Sequence, residues 1–521
     1  MASDPIISKD YWKDLKITKQ DIEFLHNHLF EIETPLATRE MVKVLIHERY
    51  RAENLAVQER RQSGGKIYLP KDIYQPEDEL VFPALDWAHG RVSETRAGVN
   101  PTLGDFDVLT VQMEDGKERF FASNLALHTL NDEPALDEGD EFDADAILRT
   151  NGHSLDDKLE SALKDDEEIV QIAGKWFPRA LLIDINVGNL NLAEAVLDMS
   201  AGEPLPTKSL LKDVSLPKGE NPKLAEFSLN LALQEDERFD EVGPAGEVLW
   251  FLHRLEPQEV REVPLYLQYS PIEHDRTVLS EEMLDLEKRL DDELSEIATD
   301  DDEEEPEDVT LALIYPHLRV GTLPLSSRVR PLFPTAYEAP RVRFTLVDGK
   351  TDKKFPGWVV REHKYVYGLS DFYKDNELMP GSLVSIRKGE NPGEVIVEAK
   401  SYRSKKDWLR TAIIGTDGVV VFAMLKQSVS AEFNERMAIA VPAFDTVDQA
   451  WEQTANRSLD QLVVSMIREM SKLTTQGHVH AQELYSAVNI VRRVPPAPLF
   501  ALLETKNEIS HVGDLHFKLS G

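Results

Sequence analysis

Between Leu192 and Leu255, and again between Leu459 and Leu519, the chain runs through a helix, a break, two shorter helices and closing strands. That recurrence limits the fold to one built from repeated small modules. In the first stretch Leu192, Ala193, Val196 and Leu197 form one helical face. Pro204 to Lys208 breaks it with Thr207 as the expected cap, Leu210 and Leu211 follow, and Leu224, Phe227, Leu231 and Leu233 mark a third helix. In the second, Leu459, Leu462, Val463 and Ile467 are followed by a break at Thr474–His478, then by Val479, Ala481, Leu484 and Tyr485. Pro495-Pro496-Ala497-Pro498 introduces Leu499, Phe500, Leu502 and Leu503. Arg238–Gly243 and Glu508–Gly513 occupy the same place in each copy. A partial third copy opens the chain: Thr18 caps a helix with Asp21 three residues on, and Leu36-Ala37-Thr38-Arg39 parallels Leu205-Pro206-Thr207-Lys208.

Three short helices followed by a hairpin are the ingredients of a winged helix. Between the copies the pattern turns to short strands. Asp105–Met113 alternates with period two, and Glu114-Asp115-Gly116-Lys117 is a hairpin turn. Leu311–Tyr315, Val342–Val347 and Gly393–Glu398 read as strands of a second β-rich region, and Leu369–Tyr373 as a short helix. The expectation is a multidomain α+β protein in which winged-helix-like modules alternate with small β-barrels. Its domains are a helical module at 1–65, an SH3-like barrel at 66–130 and an acidic linker at 131–154. A winged-helix-like domain at 155–275, an acidic helix and linker at 276–308, a basic pseudobarrel at 309–410 and a helical module at 411–521 follow. At 521 residues the chain exceeds a single core.

Charge is unevenly spread. The chain carries formal net charge −36, yet Arg319–Arg410 holds 18 Lys/Arg against 11 Asp/Glu, directly after 16 acidic residues in Glu281–Asp308. A basic domain beside a polyanionic segment suggests a surface that meets a polyanion, with an internal competitor. The overall charge disfavours indiscriminate nucleic-acid binding, so such contact is local. Zero cysteines exclude disulfides, thiolate nucleophiles and cysteine-ligated zinc. No apolar run approaches a membrane span, and the N-terminal stretch lacks a basic n-region and an apolar h-region, so a cytoplasmic protein without membrane contact is expected.

No pattern points to catalysis. Gly64-Gly65-Lys66 lacks the spacing of a phosphate loop. Asp105 and Asp107 and the pairs His26/His28 and His478/His480 each lack the further ligands of a metal site, while the run Asp300–Glu305 has carboxylates enough for a divalent ion but, without turn glycines or hydrophobic anchors, reads as a disordered tether. The expectation is a non-enzyme with no cofactor and no metal. The better candidates bind: Arg341 and Arg343 share a strand face, and Lys353, Lys354, Trp358, Arg361 and Lys364 interleave cations with an indole, with Arg403, Lys405, Lys406 and Arg410 extending the patch. Arg492 and Arg493 precede the last helix, where a winged helix approaches DNA.

Phe239-Asp240-Glu241-Val242-Gly243-Pro244 before a Trp-containing strand resembles the winged-helix domain of the bacterial RNA polymerase delta subunit, over about 60 residues, and that family also has an acidic tail. Trp358, Tyr365–Gly368, Phe372 and the turn Leu378–Val384 are similar to the pseudobarrels of plant B3 and restriction-enzyme effector domains, which bind DNA in the major groove. Gly90–Ala122 resembles SH3-like barrels of transcription and translation proteins. These resemblances imply a DNA-binding, transcription-associated protein that positions its partners and contacts RNA polymerase. Two alternatives stand beside it: an acidic interaction scaffold or DNA mimic, and the DNA-recognition part of a nuclease or helicase system.

Overall fold

In the computed structural model, which describes residues 9–62, 65–85, 87–100, 104–131, 143–200, 202–214, 221–296, 306–415, 419–454 and 457–520, the chain divides into two units at Leu182/Ile183. Each mixes helices with small sheets. The run Asp300–Glu305 and residues 132–142 of the expected acidic linker lie outside the described residues.

The first unit begins with α1 (Lys9–Asp14), α2 (Lys19–Ile32), β1 (Leu36–Ala37) and α3 (Thr38–Gln62). Thr18 caps α2 as expected: its hydroxyl accepts the Asp21 N–H and the Asp21 carboxylate accepts the Thr18 N–H at 2.7 Å. Five strands follow, β2 (Lys66–Ile67), β3 (Glu79–Phe82), β4 (Ala88–Ala97), β5 (Asp107–Met113) and β6 (Glu118–Ser123), lying side by side in chain order. The Glu114–Lys117 turn joins β5 to β6, with Gly116 in the left-handed region at φ +76°. No ladder joins β2 to β6 among the described residues, and the Tyr68 hydroxyl spans that gap by donating to the Ala122 carbonyl at 2.6 Å. The chain then resumes its helical module with α4 (Ala144–Lys164), β7 (Ile169–Ile172) and β8 (Lys175–Pro178).

That return corrects the expected boundaries. α4 runs straight through 154/155, and β8 pairs with β1, so the strand segment is inserted inside the first helical module rather than following it. The missing third helix and hairpin of the N-terminal copy lie about 80 residues downstream of α3, beyond the reach of a local pattern.

The second unit opens with α5 (Val187–Met199), β9 (Leu205–Pro206), α6 (Thr207–Asp213), α7 (Pro222–Gln234), β10 (Phe239–Glu241) and β11 (Leu249–Leu252). After α8 (Gln258–Arg261) and the acidic helix α9 (Glu281–Leu290), a seven-stranded sheet forms. Its members are β12 (Asp308–Ala312), β13 (Thr322–Pro324) after α10 (Tyr315–Val320), β14 (Arg341–Asp348), β15 (Lys354–Val360), β16 (Tyr365–Tyr367), β17 (Leu383–Lys388) after α11 (Ser370–Asp375), and β18 (Glu394–Glu398). Their order is β12-β17-β18-β14-β15-β16-β13, with β14 and β18 parallel. The expected strand Leu311–Tyr315 stops at Ala312, because Pro316 in the first turn and Gly321 at φ +77° bracket a helix instead. Two long strands, β19 (Ser401–Ile414) and β20 (Val420–Ala431), pair as a hairpin, with β21 (Ile439–Ala440) parallel to β19. β19 crosses the expected boundary at 410/411 without a break. The chain ends with α12 (Phe444–Thr454), α13 (Leu459–Ser471), β22 (Val479–His480), α14 (Ala481–Val488), α15 (Pro496–Thr505), β23 (Ile509–Gly513) and β24 (His516–Leu519).

Three times, therefore, the order is helix, two-residue strand, helix, helix, hairpin, and the register is the same each time. Leu36 faces Trp176, Leu205 faces Trp250 and Val479 faces Phe517. In the first copy the Trp176 Nε1–H donates to the Thr38 hydroxyl at 3.0 Å, and Thr38 donates to Glu160. In the second, Trp250 Nε1–H reaches both Thr207 (3.2 Å) and Asn230 (2.9 Å), and Thr207 donates to Asn230 at 2.6 Å. Thr207 is thus a buried internal partner, and Pro206 holds the capping position assigned to it. In the third, donor and acceptor are lost together: Phe517 and Ala481 stand there, which avoids an orphaned polar group. Thr38→Val should destabilise the first unit by about 1–2 kcal/mol, since the buried indole N–H keeps its place and loses its acceptor; urea unfolding of the full chain reads this.

Candidate nucleic-acid interface

β14 alternates buried Val342, Phe344 and Leu346 with Arg341, Arg343 and Thr345, so the two arginines share a face, as their spacing predicts. That face is covered. Arg341 pairs with Asp240 at 2.5 Å, lies 3.6 Å from Glu256, and donates to the Val260 carbonyl at 3.0 Å. Arg343 grips Glu203 through two bonds, 2.8 and 3.1 Å, and stacks over Phe251. Trp358, opposite Arg343 on β15, is 3 % exposed, with its ring 5.5 Å from Phe251 in an edge contact. These three side chains attach the β10–β11 module to the sheet; none is a platform for a base or phosphate.

The rest of the expected patch is dispersed. Lys353 lies 3.8 Å from Asp375, and Lys354 is in close contact with Glu394. Arg361 donates to the Ala339 carbonyl at 2.8 Å, and Lys364 is exposed in a turn at φ +54°. Arg492 donates to the Arg457 carbonyl at 2.8 Å. Arg493 lies in the core, 2.6 Å from Asp292 and 2.8 Å from Glu293, with Asn489 accepting a further bond at 3.2 Å. His317 bonds Glu293 at 3.2 Å, and the Tyr485 hydroxyl donates to Asp292. Burial opposes ionisation of Glu293, but Arg493 and His317 hold it far below the usual carboxylate range. Asp291, Asp292 and Glu293 are buried, so this part of the acidic segment is a folded core element and no tether. The third helix beside it offers no groove-reading face: seven of the α15 side chains, from Pro496 to Leu503, are buried.

The β19–β20 hairpin carries a basic surface that faces outward. On the β19–β20 hairpin Trp408 is 58 % exposed, and Lys426, its cross-strand partner, lies over the ring with Nζ 5.4 Å from the centroid. Lys406 and Ser428 continue the same face, and the next pair is Arg410 and Met424. Closer to the turn this face carries Ala412, Phe422 and Val420 into the core shared with α13, which anchors the hairpin. On the other face Leu409 and Val429 pack with Ala438, while Arg403 and Lys405 project and Lys405 lies over Tyr402. Arg403 and Lys405 were legible as candidates. Trp408 and Lys426 were missed, although the alternation of Ser404, Lys406, Trp408 and Arg410 marks a strand face once Ser401–Ile414 is read as one element.

His478 and His480 do not share a ligand position. His480 is buried at the start of α14, with Nε2 against Arg436 and Nδ1 accepting from the Gln482 N–H; burial, then Arg436, lower its pKa to about 3.

No helix among the described residues is long and apolar enough to cross a membrane. No protein-family model, curated protein or solved structure matches the chain.

Proposed function

We propose that this chain binds DNA through the β19–β20 hairpin, and that its three helix–strand repeats are winged-helix modules serving as framework and protein-contact surfaces. The observation that carries the reading is the solvent-facing Trp408 beneath Lys426, with Lys406 on the same face of the hairpin and Lys405 and Arg403 on the other. An exposed ring gives a base a face to stack on, and Lys406 and Lys426 on the same face contact the phosphates beside it. Such a surface favours unpaired bases, because a duplex hides their faces. The buried α15 and the engaged Arg341, Arg343 and Arg493 move DNA contact away from the pseudobarrel and the last helix. In this reading the protein is cytoplasmic and non-enzymatic, and its acidic modules meet a protein of the transcription apparatus such as RNA polymerase.

Anisotropy of labelled single-stranded and duplex oligonucleotides with the full chain tests this. Binding should weaken steeply with salt. Trp408→Ala should reduce single-strand affinity about 10-fold or more, and Lys405→Glu with Lys406→Glu and Lys426→Glu should remove most of the salt dependence. Absence of binding at low salt supports the second reading, an acidic interaction scaffold. That reading is favoured by the internal use of the basic strand face and by the net charge of −36.

A further inference from the structure

Glu256 is a buried carboxylate whose two oxygens both lack a hydrogen-bond donor. It sits just after the short turn of helix that follows β11 and is 3 % exposed. A buried carboxylate without donors is rare and calls for a proton or a cation. Its Oε2 lies 3.7 Å from Nδ1 of His253, which in turn lies 3.6 Å from Oδ2 of Asp240 on β10. One ligand atom from each of the three residues falls within 4.8 Å of the others.

We propose that Asp240, His253 and Glu256 form a site for a borderline divalent metal ion of the Zn2+ class. Bonds of about 2.1 Å in a tetrahedral site place ligand atoms about 3.4 Å apart, so the observed 3.6 and 3.7 Å need only a small closing movement of side chains. One imidazole nitrogen with two carboxylate oxygens suits zinc rather than magnesium or calcium, which prefer oxygen throughout. Three protein ligands leave a fourth position for water, and His253, partly exposed, gives a route in from solvent. Arg341 supplies the outer shell: its guanidinium holds Asp240 at 2.5 Å and lies 3.6 Å from Glu256. Both carboxylates lie near Arg341, and Arg261 acts on Glu256 from further away. A proton on the buried Glu256 carboxyl is the competing occupant. The ligands come from the β10–β11 module and the outer-shell arginine from β14, so an ion here would brace the contact between that module and the sheet.

The full chain, stripped with chelator and dialysed, should take up one equivalent of Zn2+ per chain. Co2+ at the same site should give the intense visible absorption of a low-coordinate centre. Glu256→Gln and His253→Ala should each weaken that binding about 100-fold, with circular dichroism showing the fold retained. His253 is partly exposed, so its variant keeps the test open if Glu256→Gln does not fold. Binding that persists in both variants would place the ion elsewhere, for example at His478, His511 or His516, and overturn the assignment. Absence of stoichiometric binding would show Glu256 holding a proton alone, and would overturn it equally.

Discussion

Arg493→Met is expected to destabilise the 183–521 unit by about 3–5 kcal/mol, the usual cost of leaving a buried charge without its partner. Methionine fills much of the volume but leaves Asp292 and Glu293 facing each other without the guanidinium that bonds both. The penalty belongs to the abandoned carboxylates more than to the lost arginine. Asp292→Asn and Glu293→Gln added to Arg493→Met should therefore recover a substantial part of it. Arg492→Ala, one residue away, loses one bond to a backbone carbonyl and should cost about 1 kcal/mol. Urea unfolding of the four proteins gives the comparison. An Arg493 variant as stable as the parent would mean the cluster is neutralised in another way.

Gly243→Ala should cost about 2–3 kcal/mol through overpacking. A Cβ at this position would lie 2.0 Å from the Glu247 carbonyl oxygen and 2.9 Å from the Leu249 nitrogen, both backbone atoms of the same hairpin. Relief requires opening the turn, and the turn is fastened at both ends. Val242 N–H donates to Leu249 at 2.8 Å, the Val242 carbonyl accepts from Arg343 N–H on β14 at 2.9 Å, and Ala245 N–H donates to Thr335 at 2.6 Å. The module would loosen from the sheet, so Arg343 and Trp358 should become more accessible. Gly246 in the same loop separates steric from conformational cost. It has φ +94° and open space around it, so alanine there pays only the left-handed backbone penalty, about 1 kcal/mol. Melting temperatures of the two variants should fall in that order.

The helical repeats were legible because their signals are local. Thr18 with Asp21, the apolar spacing of Leu459, Leu462, Val463 and Ile467, and the short Leu-x-Thr starts at Leu36 and Leu205 depend on neighbours within a turn or two. The insertion between α3 and α4 was not legible, since β1 finds its partner β8 only after an entire sheet has intervened. Charge misled for a related reason. Arg341, Arg343 and Arg493 are indistinguishable from surface cations until their partners Asp240, Glu203, Asp292 and Glu293 are known, and those come from about 100 to 200 residues away. The same holds for Asp292 and Glu293, which the sequence placed only within an acidic helix and linker at 276–308. On the hairpin the residue types were informative, but Trp408 was hidden by a domain boundary drawn through its strand.

The nesting of one element inside another sets a schedule on the ribosome. Thr38 is made 138 residues before Trp176, the indole that completes its hydrogen bond. At about 5–20 residues per second this is a wait on the order of ten seconds. The interposed strands, which pair with their immediate successors, can be finished in that interval, while Met41, Val42, Leu45 and Ile46 on the waiting helix lack the partners that later bury them. In that interval the apolar face of α3 stands open to chaperones and to self-association.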